Sequence, residues 1–186
     1  ILGWREGSDR SLKPILFGSH IDSVPSGGNF DGDLGSMSAI ETVRTLKEHG
    51  VTTRHALEIV IWSNEEALTM GSRAAAGDLQ PADLAKVYHG IPLADHLRKI
   101  GGDPINLAEA RMAPGSIHCY LELHIEQAPQ LDRERCDIGV VVGGYKTLAL
   151  RIDIEGETSH SGGTPMLERR NALVGVSYGS GHVTPT

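Results

Sequence analysis

The feature that most constrains this chain is a short apolar run that ends in polar residues, then a helical pattern, then a second such run. Lys13 to Gly18 reads as a strand that stops at Ser19-His20. Its nearly continuous apolar character is that of a strand covered on both faces. The turn cluster Pro25-Ser-Gly-Gly-Asn29 leads into residues 34–49, where Leu34, Met37, Ile40, Val43 and Leu46 recur every third position. That spacing predicts an amphipathic helix, with Gly50 placed to end it. Ala56 to Trp62 is again rich in β-formers. Strand, helix, strand in this order is a βαβ unit with parallel strands, so the predicted fold class is α/β.

Beyond the unit, residues 67–118 read as helix and loop, with small and acidic segments at 74–85 and 94–100 and breaks at Gly101-Gly102 and Pro114-Gly115. Residues 120–126 alternate, which predicts a strand with Leu121, Leu123 and Ile125 on one face and Glu122, His124 and Glu126 on the other. A further alternating strand is expected at 148–154, then a polar glycine-rich loop to Pro165 and a helix from Met166 to about Val174. Gly143-Gly144 marks a shift in pattern and an expected domain boundary.

Composition narrows the function classes. The 186 residues hold 17 Lys plus Arg against 24 Asp plus Glu, a net charge of −7, and lack an apolar stretch long enough to span a bilayer. An acidic chain of this kind is a poor match for nucleic acid or an anionic membrane, and a small substrate is expected. Cys119 and Cys136 form neither a zinc-finger spacing nor a disulfide framework, so they are expected as reduced thiols in a cytoplasmic protein. The start at Ile1 and the soft glycine-rich tail are what a fragment of a longer chain is expected to show.

The candidate chemistry sits at the carboxyl ends of the expected strands, where ligands gather in open α/β sheets. His20 closes the first strand, with Asp22 two positions on. Such a histidine either ligates a metal, with a neighbouring carboxylate fixing its other nitrogen, or simply ends the strand. Asp31, in Asn29-Phe-Asp-Gly32, suits either a bridge between two cations or the cap of the following helix. Glu65-Glu66 follow the second strand directly. Adjacent carboxylates repel unless their roles diverge, one as ligand and one as base, although an exposed acidic loop also fits. His124 lies on the polar face of the third strand. Taken together, the set offers nitrogen and oxygen without thiolate, which suits zinc, manganese, cobalt or nickel, and a bridging carboxylate suits two ions about 3.5–4 Å apart. Gly175-Val-Ser-Tyr-Gly179 has the spacing of a serine-hydrolase nucleophile elbow, but a helical segment precedes it and a broken tail follows, the wrong context for that turn.

Four motifs, Gly18-Ser-His-Ile-Asp-Ser-Val-Pro-Ser-Gly-Gly-Asn-Phe-Asp-Gly32, Ser63-Asn-Glu-Glu66, Tyr120-Leu-Glu-Leu-His-Ile-Glu-Gln127 and His160-Ser-Gly-Gly-Thr-Pro-Met166, together resemble the hydantoinase/carbamoylase amidohydrolases. That family includes N-carbamoyl-L-amino-acid hydrolases, β-ureidopropionases and allantoate amidohydrolases, and is related to the di-metal aminoacylases and carboxypeptidases. The resemblance implies a mixed, largely parallel sheet in a catalytic domain of di-zinc peptidase type over residues 1–143. Residues 144–186 would then begin a smaller α+β lid and dimerisation domain. It implies two divalent cations, with His20 and His124 as terminal ligands, Asp31 as the bridge and Glu66 as a further ligand. Glu65 would be the general base and Asp22 would orient His20. Gln127 would contact substrate, and His160 would stabilise the oxyanion from the partner subunit of a homodimer. A later metal-binding histidine and an arginine for the substrate carboxylate are expected downstream. The implied reaction is hydrolysis of the ureido group of an N-carbamoyl-L-amino acid. The alternatives are allantoate, β-ureidopropionate or a dipeptide as substrate, or a metal-binding, dimerising protein without catalysis.

Overall fold

The computed structural model describes residues 2–144, 148 and 151–179. Two compact units are present, Ile1–Asp137 and Ile138–Thr186. In the first, β1 (Leu2–Arg5), β2 (Ile15–His20), β3 (Leu57–Trp62) and β6 (Cys119–Leu121) form a four-stranded sheet in the order β1-β3-β2-β6. The helix α1 (Asp33–Glu48) connects β2 to β3, and these two strands pair in parallel from Ile15 with Leu57 to His20 with Trp62. The βαβ unit expected from the periodicity is therefore formed. β6 joins β2 in parallel and β1 joins β3 antiparallel, so the sheet is mixed and largely parallel.

α1 buries Gly35, Ser36 and Ala39. Small side chains at these positions let the helix approach the sheet closely: a Cβ on Gly35 would collide with the Leu123 carbonyl and with Ser19. Leu34, Met37 and Ile40, part of the apolar three-residue spacing, are instead exposed.

After β3 the chain runs through short helices, α2 (Glu65–Leu68), α3 (Met70–Ala76) and α4 (Pro81–Leu84). The two-stranded hairpin of β4 (Val87–Tyr88) and β5 (Ile91–Pro92) follows, and then α5 (Leu93–Lys99) and a 3₁₀ turn at Leu107–Ala110. Met70, Leu79, Leu84 and Leu93 form the apolar cluster of this region. Next to it, Asp83 accepts hydrogen bonds from Lys86 at 2.7 Å, Arg73 at 2.9 Å and the Gln80 main chain at 3.0 Å. These donors, the Lys86 bond foremost, hold its carboxyl down at about 2. No helix among the described residues is long and apolar enough to cross a membrane.

Two expectations change. The strand anticipated at 120–126 pairs only through Leu121, and the segment beyond it is held by side chains instead of a main-chain ladder. A short helix, α6 (Gln130–Glu134), closes that segment. In the second unit, residues 151–154 are not a strand, while 149 and 150 lie outside the described residues. The helix expected from Met166 appears as a 3₁₀ turn, Met166–Glu168, and a helix α7, Ala172–Gly179. The Asn171 side chain accounts for the later start, because its Oδ1 accepts the main-chain N–H groups of Leu173 and Val174, which is N-capping.

Candidate metal centre

Three parts of the first unit converge at the carboxyl end of the sheet. β2 delivers Ser19 and His20, both essentially without exposure. The His20 main-chain carbonyl is fixed by the buried Ser36 hydroxyl on α1 at 2.8 Å. Gly32, at φ 71°, lies against the His20 ring, and a Cβ there would run into the imidazole, so this turn needs glycine on both counts. Asp31, one residue earlier, is 6% exposed. The third part is the segment after β6, which carries His124 to within 3.2 Å of the Asp31 carboxylate, measured from Nε2 to Oδ1.

His20, Asp31 and His124 each offer one ligand atom, and these atoms all lie within 4.8 Å of one another. The two imidazoles are set in the same way. The Nδ1–H of His20 donates to the Asp22 carbonyl at 2.9 Å, and that of His124 to the Ile125 carbonyl at 2.9 Å. This tautomer leaves Nε2 of each ring as a lone-pair donor. Asp31 Oδ1 and Glu66 Oε1 are buried with no hydrogen-bond partner. A buried acceptor without a donor is costly, and a divalent cation held by the two imidazole Nε2 atoms and Asp31 would satisfy the Asp31 oxygen, while Glu66 stands outside this three-residue group. The donor set present thus fits a zinc-like ion.

The Glu pair lies beside this cluster. Glu65 Oε2 is 3.6 Å from His20 Nε2. The main-chain N–H groups of Glu65 and Glu66 donate to the two oxygens of Asp22, at 3.2 and 3.1 Å, so this carboxylate caps α2 and holds both glutamates at its first turn. Asp22 meets the His20 ring chiefly through its main-chain oxygen, its carboxylate standing 3.9 Å from Nδ1. Burial raises the Glu65 carboxyl above its ordinary range, and the Glu66, Asp22 and Glu122 charges add to this against the lowering influence of His20. Burial works to lower His20, but the Asp22 carbonyl and the Glu65, Asp22 and Glu66 carboxylates outweigh it, so its basicity is raised. A carboxyl whose proton affinity is raised in this way is suited to accepting and returning a proton.

Gln127, with φ 56°, donates from Nε2 to Asp31 Oδ2 at 2.8 Å. His160 belongs to the second unit, where its Nδ1 accepts the main-chain N–H groups of Gly162 and Gly163 at 3.2 and 3.0 Å. Among the described residues the structure therefore gathers His20, Asp22, Asp31, Glu65, Glu66, His124 and Gln127 in one place. Sequence reasoning missed the supports, above all Ser36 and Gly32. A glycine just before the helix and a polar residue in the first turn of its apolar pattern were the available signal.

A His/Asp group at the carboxyl end of a largely parallel α/β sheet is an arrangement that could hold a divalent cation. The chain belongs to peptidase family M20/M25/M40, whose model matches residues 16–180. It is 38% identical over 183 residues to the N-carbamoyl-L-amino acid amidohydrolase of Geobacillus stearothermophilus, covering 95% of this chain and 45% of that protein. It is 32% identical over 183 residues to the allantoate deiminase of Arabidopsis thaliana, covering 92% of this chain and 35% of that one. Among solved structures, a hydantoinase/carbamoylase family amidase from Burkholderia ambifaria superposes with a TM-score of 0.73 at 33% identity, covering 95% of this chain and 44% of that chain. The chain thus spans less than half the length of these relatives, and the hydantoinase/carbamoylase resemblance and the mixed α/β fold are both borne out.

Proposed function

We propose that this chain carries the metal centre of an amidohydrolase that cleaves the ureido group of an N-carbamoyl-L-amino acid, yielding the amino acid, carbon dioxide and ammonia. The observation that carries this reading is the His20, Asp31 and His124 cluster with the Glu65 carboxylate 3.6 Å from His20 Nε2. His20, Asp31, Glu66 and His124 would hold two divalent cations, of zinc, manganese, cobalt or nickel. When bound, such ions polarise a carbonyl and make water a nucleophile near neutral pH. Glu65 takes the proton of the attacking water and returns it to the departing nitrogen. Asp22 keeps Glu65 and Glu66 at the head of α2, Gln127 orients substrate from beside Asp31, and His160 supplies a donor to the oxyanion from a partner subunit. Residues 1–143 act as the front of the catalytic domain, and residues 144–186 open a lid through which the protein forms a cytoplasmic homodimer.

The allantoate deiminase relative supports a second substrate, allantoate, at the same site. A panel of N-carbamoyl-L-amino acids, allantoate, β-ureidopropionate and dipeptides, assayed with each metal after chelation, separates these readings. Metal-restored ammonia release from the carbamoyl amino acids is expected. Turnover that persists after complete metal removal would overturn the mechanism.

A further inference from the structure

The chain approaches His124 without a main-chain ladder. Pairing between β2 and β6 runs from Ile15 with Cys119 to Phe17 with Leu121 and ends there. From that point Glu122 provides the connection. One of its oxygens accepts the Ser19 hydroxyl at 2.5 Å and the other accepts the Tyr120 hydroxyl at 2.7 Å. The Tyr120 oxygen in turn accepts the Trp62 indole N–H at 2.9 Å and stands 3.2 Å from the Gly18 carbonyl.

The members of this bridge are distributed tellingly. Ser19 is fully buried and immediately precedes His20. Trp62 ends β3, directly before the segment that carries Glu65 and Glu66. Glu122 lies two positions before His124. A single carboxylate therefore joins the ends of β2, β3 and β6, the three strands whose continuations carry the candidate ligands and base. The main chain between Leu121 and His124 also rests against α1, since the Leu123 carbonyl occupies the space a Cβ on Gly35 would take.

We propose that Glu122 is a positioning residue: through Ser19 on one side and the Tyr120–Trp62 pair on the other, it sets the separation of His20 and His124 and so the affinity of the metal centre. The proposal rests on the reading of this cluster as a metal site. The Glu122 charge reaches Glu65, but its hold on the separation of the two imidazoles is geometric. A glutamine can keep both links, because the Tyr120 hydroxyl can turn its proton to the Gly18 carbonyl and accept from the amide.

The test is titration of the protein with cobalt(II), followed by visible absorption and calorimetry, on the wild type, Glu122→Gln, Glu122→Ala and His124→Ala. Supporting groups of this kind alter metal affinity by about 10–100-fold. Glu122→Ala is expected to weaken cobalt binding by about that factor and to shift the cobalt bands, with an unchanged far-ultraviolet spectrum. Glu122→Gln, which keeps both links, is expected to bind close to wild type and more tightly than Glu122→Ala. Should Glu122→Ala fail to fold, Ser19→Ala, which removes one arm of the bridge, is expected to weaken binding in the same direction. Wild-type affinity and bands in Glu122→Ala, alongside loss of binding in His124→Ala, would overturn the positioning role while leaving the metal site standing. Equal loss in the Gln and Ala variants would also overturn it, by assigning the effect to charge. A wild type that binds no cobalt would overturn the metal reading and the positioning role together.

Discussion

Two buried clusters of the first unit show opposite designs. At the carboxyl end of the sheet the interior holds Ser19, His20, Asp31 and Ser36, all polar. Under α3, α4 and α5 it holds Met70, Leu79, Leu84 and Leu93, and the one buried carboxylate nearby, Asp83, is met by three donors. In the first region two buried carboxylate oxygens, on Asp31 and Glu66, have no donor at all. Apolar burial contributes stability and leaves nothing to react, whereas unpaired acceptors cost stability unless an ion or a substrate joins them. Folding is thus supported mainly by one region, and the proposed chemistry falls to the other.

That division can be broken by substitutions on either side. The largest effect is expected at the base. Glu65→Gln should lower kcat by about 10²–10⁴-fold while metal content, measured by elemental analysis, stays at the wild-type level. Unchanged turnover would remove Glu65 from the proton transfers. Next is His124→Ala, which should reduce bound metal with little change in the thermal midpoint of the metal-free protein, because its ring is partly exposed. Full metal occupancy would take His124 out of the ligand set.

On the apolar side, Leu93→Ala should cost about 2–5 kcal/mol in a denaturant titration. Metal affinity per folded molecule should be unaffected, and a parallel loss of affinity would mean that the two clusters are coupled. The smallest effect concerns Asp83. Its carboxyl, at about 2 when folded against an ordinary 3.8, stabilises the fold fully above about pH 4. That contribution is lost as the pH falls from about 4 toward 2. The stability gap between wild type and Asp83→Asn should therefore shrink over that interval, and a constant gap would show that the ion pairs are not its source.

Much of the fold was legible because its signals are local. The apolar run ending at His20, the three-residue spacing after Leu34 and the β-rich run to Trp62 translate into β2, α1 and β3 with ends displaced by only a few positions. β1 was not anticipated, since a strand of four residues at a sheet edge, Leu2–Arg5, has little pattern to read. The alternation at 120–126 was genuine, yet it did not make a long strand, because side-chain bonds to Ser19 and Asp31 replace the ladder after Leu121. Asp22 shows the same limit in the site. Its spacing from His20 suggested a carboxylate on the ring nitrogen, whereas the fold uses its carbonyl there and turns the carboxylate to the head of α2.

The sequence by itself determined the α/β class, the family and the types of group available for chemistry, since periodicity, charge and motif order are properties of neighbours along the chain. Only the tertiary structure decided which atoms meet. It brought Asp31 against His124 and Gln127, set both imidazoles with Nδ1 on a carbonyl, and left two carboxylate oxygens buried without donors. Those arrangements depend on contacts between residues far apart in the chain, made when α1 and the strand ends close around one another, and no local pattern encodes them.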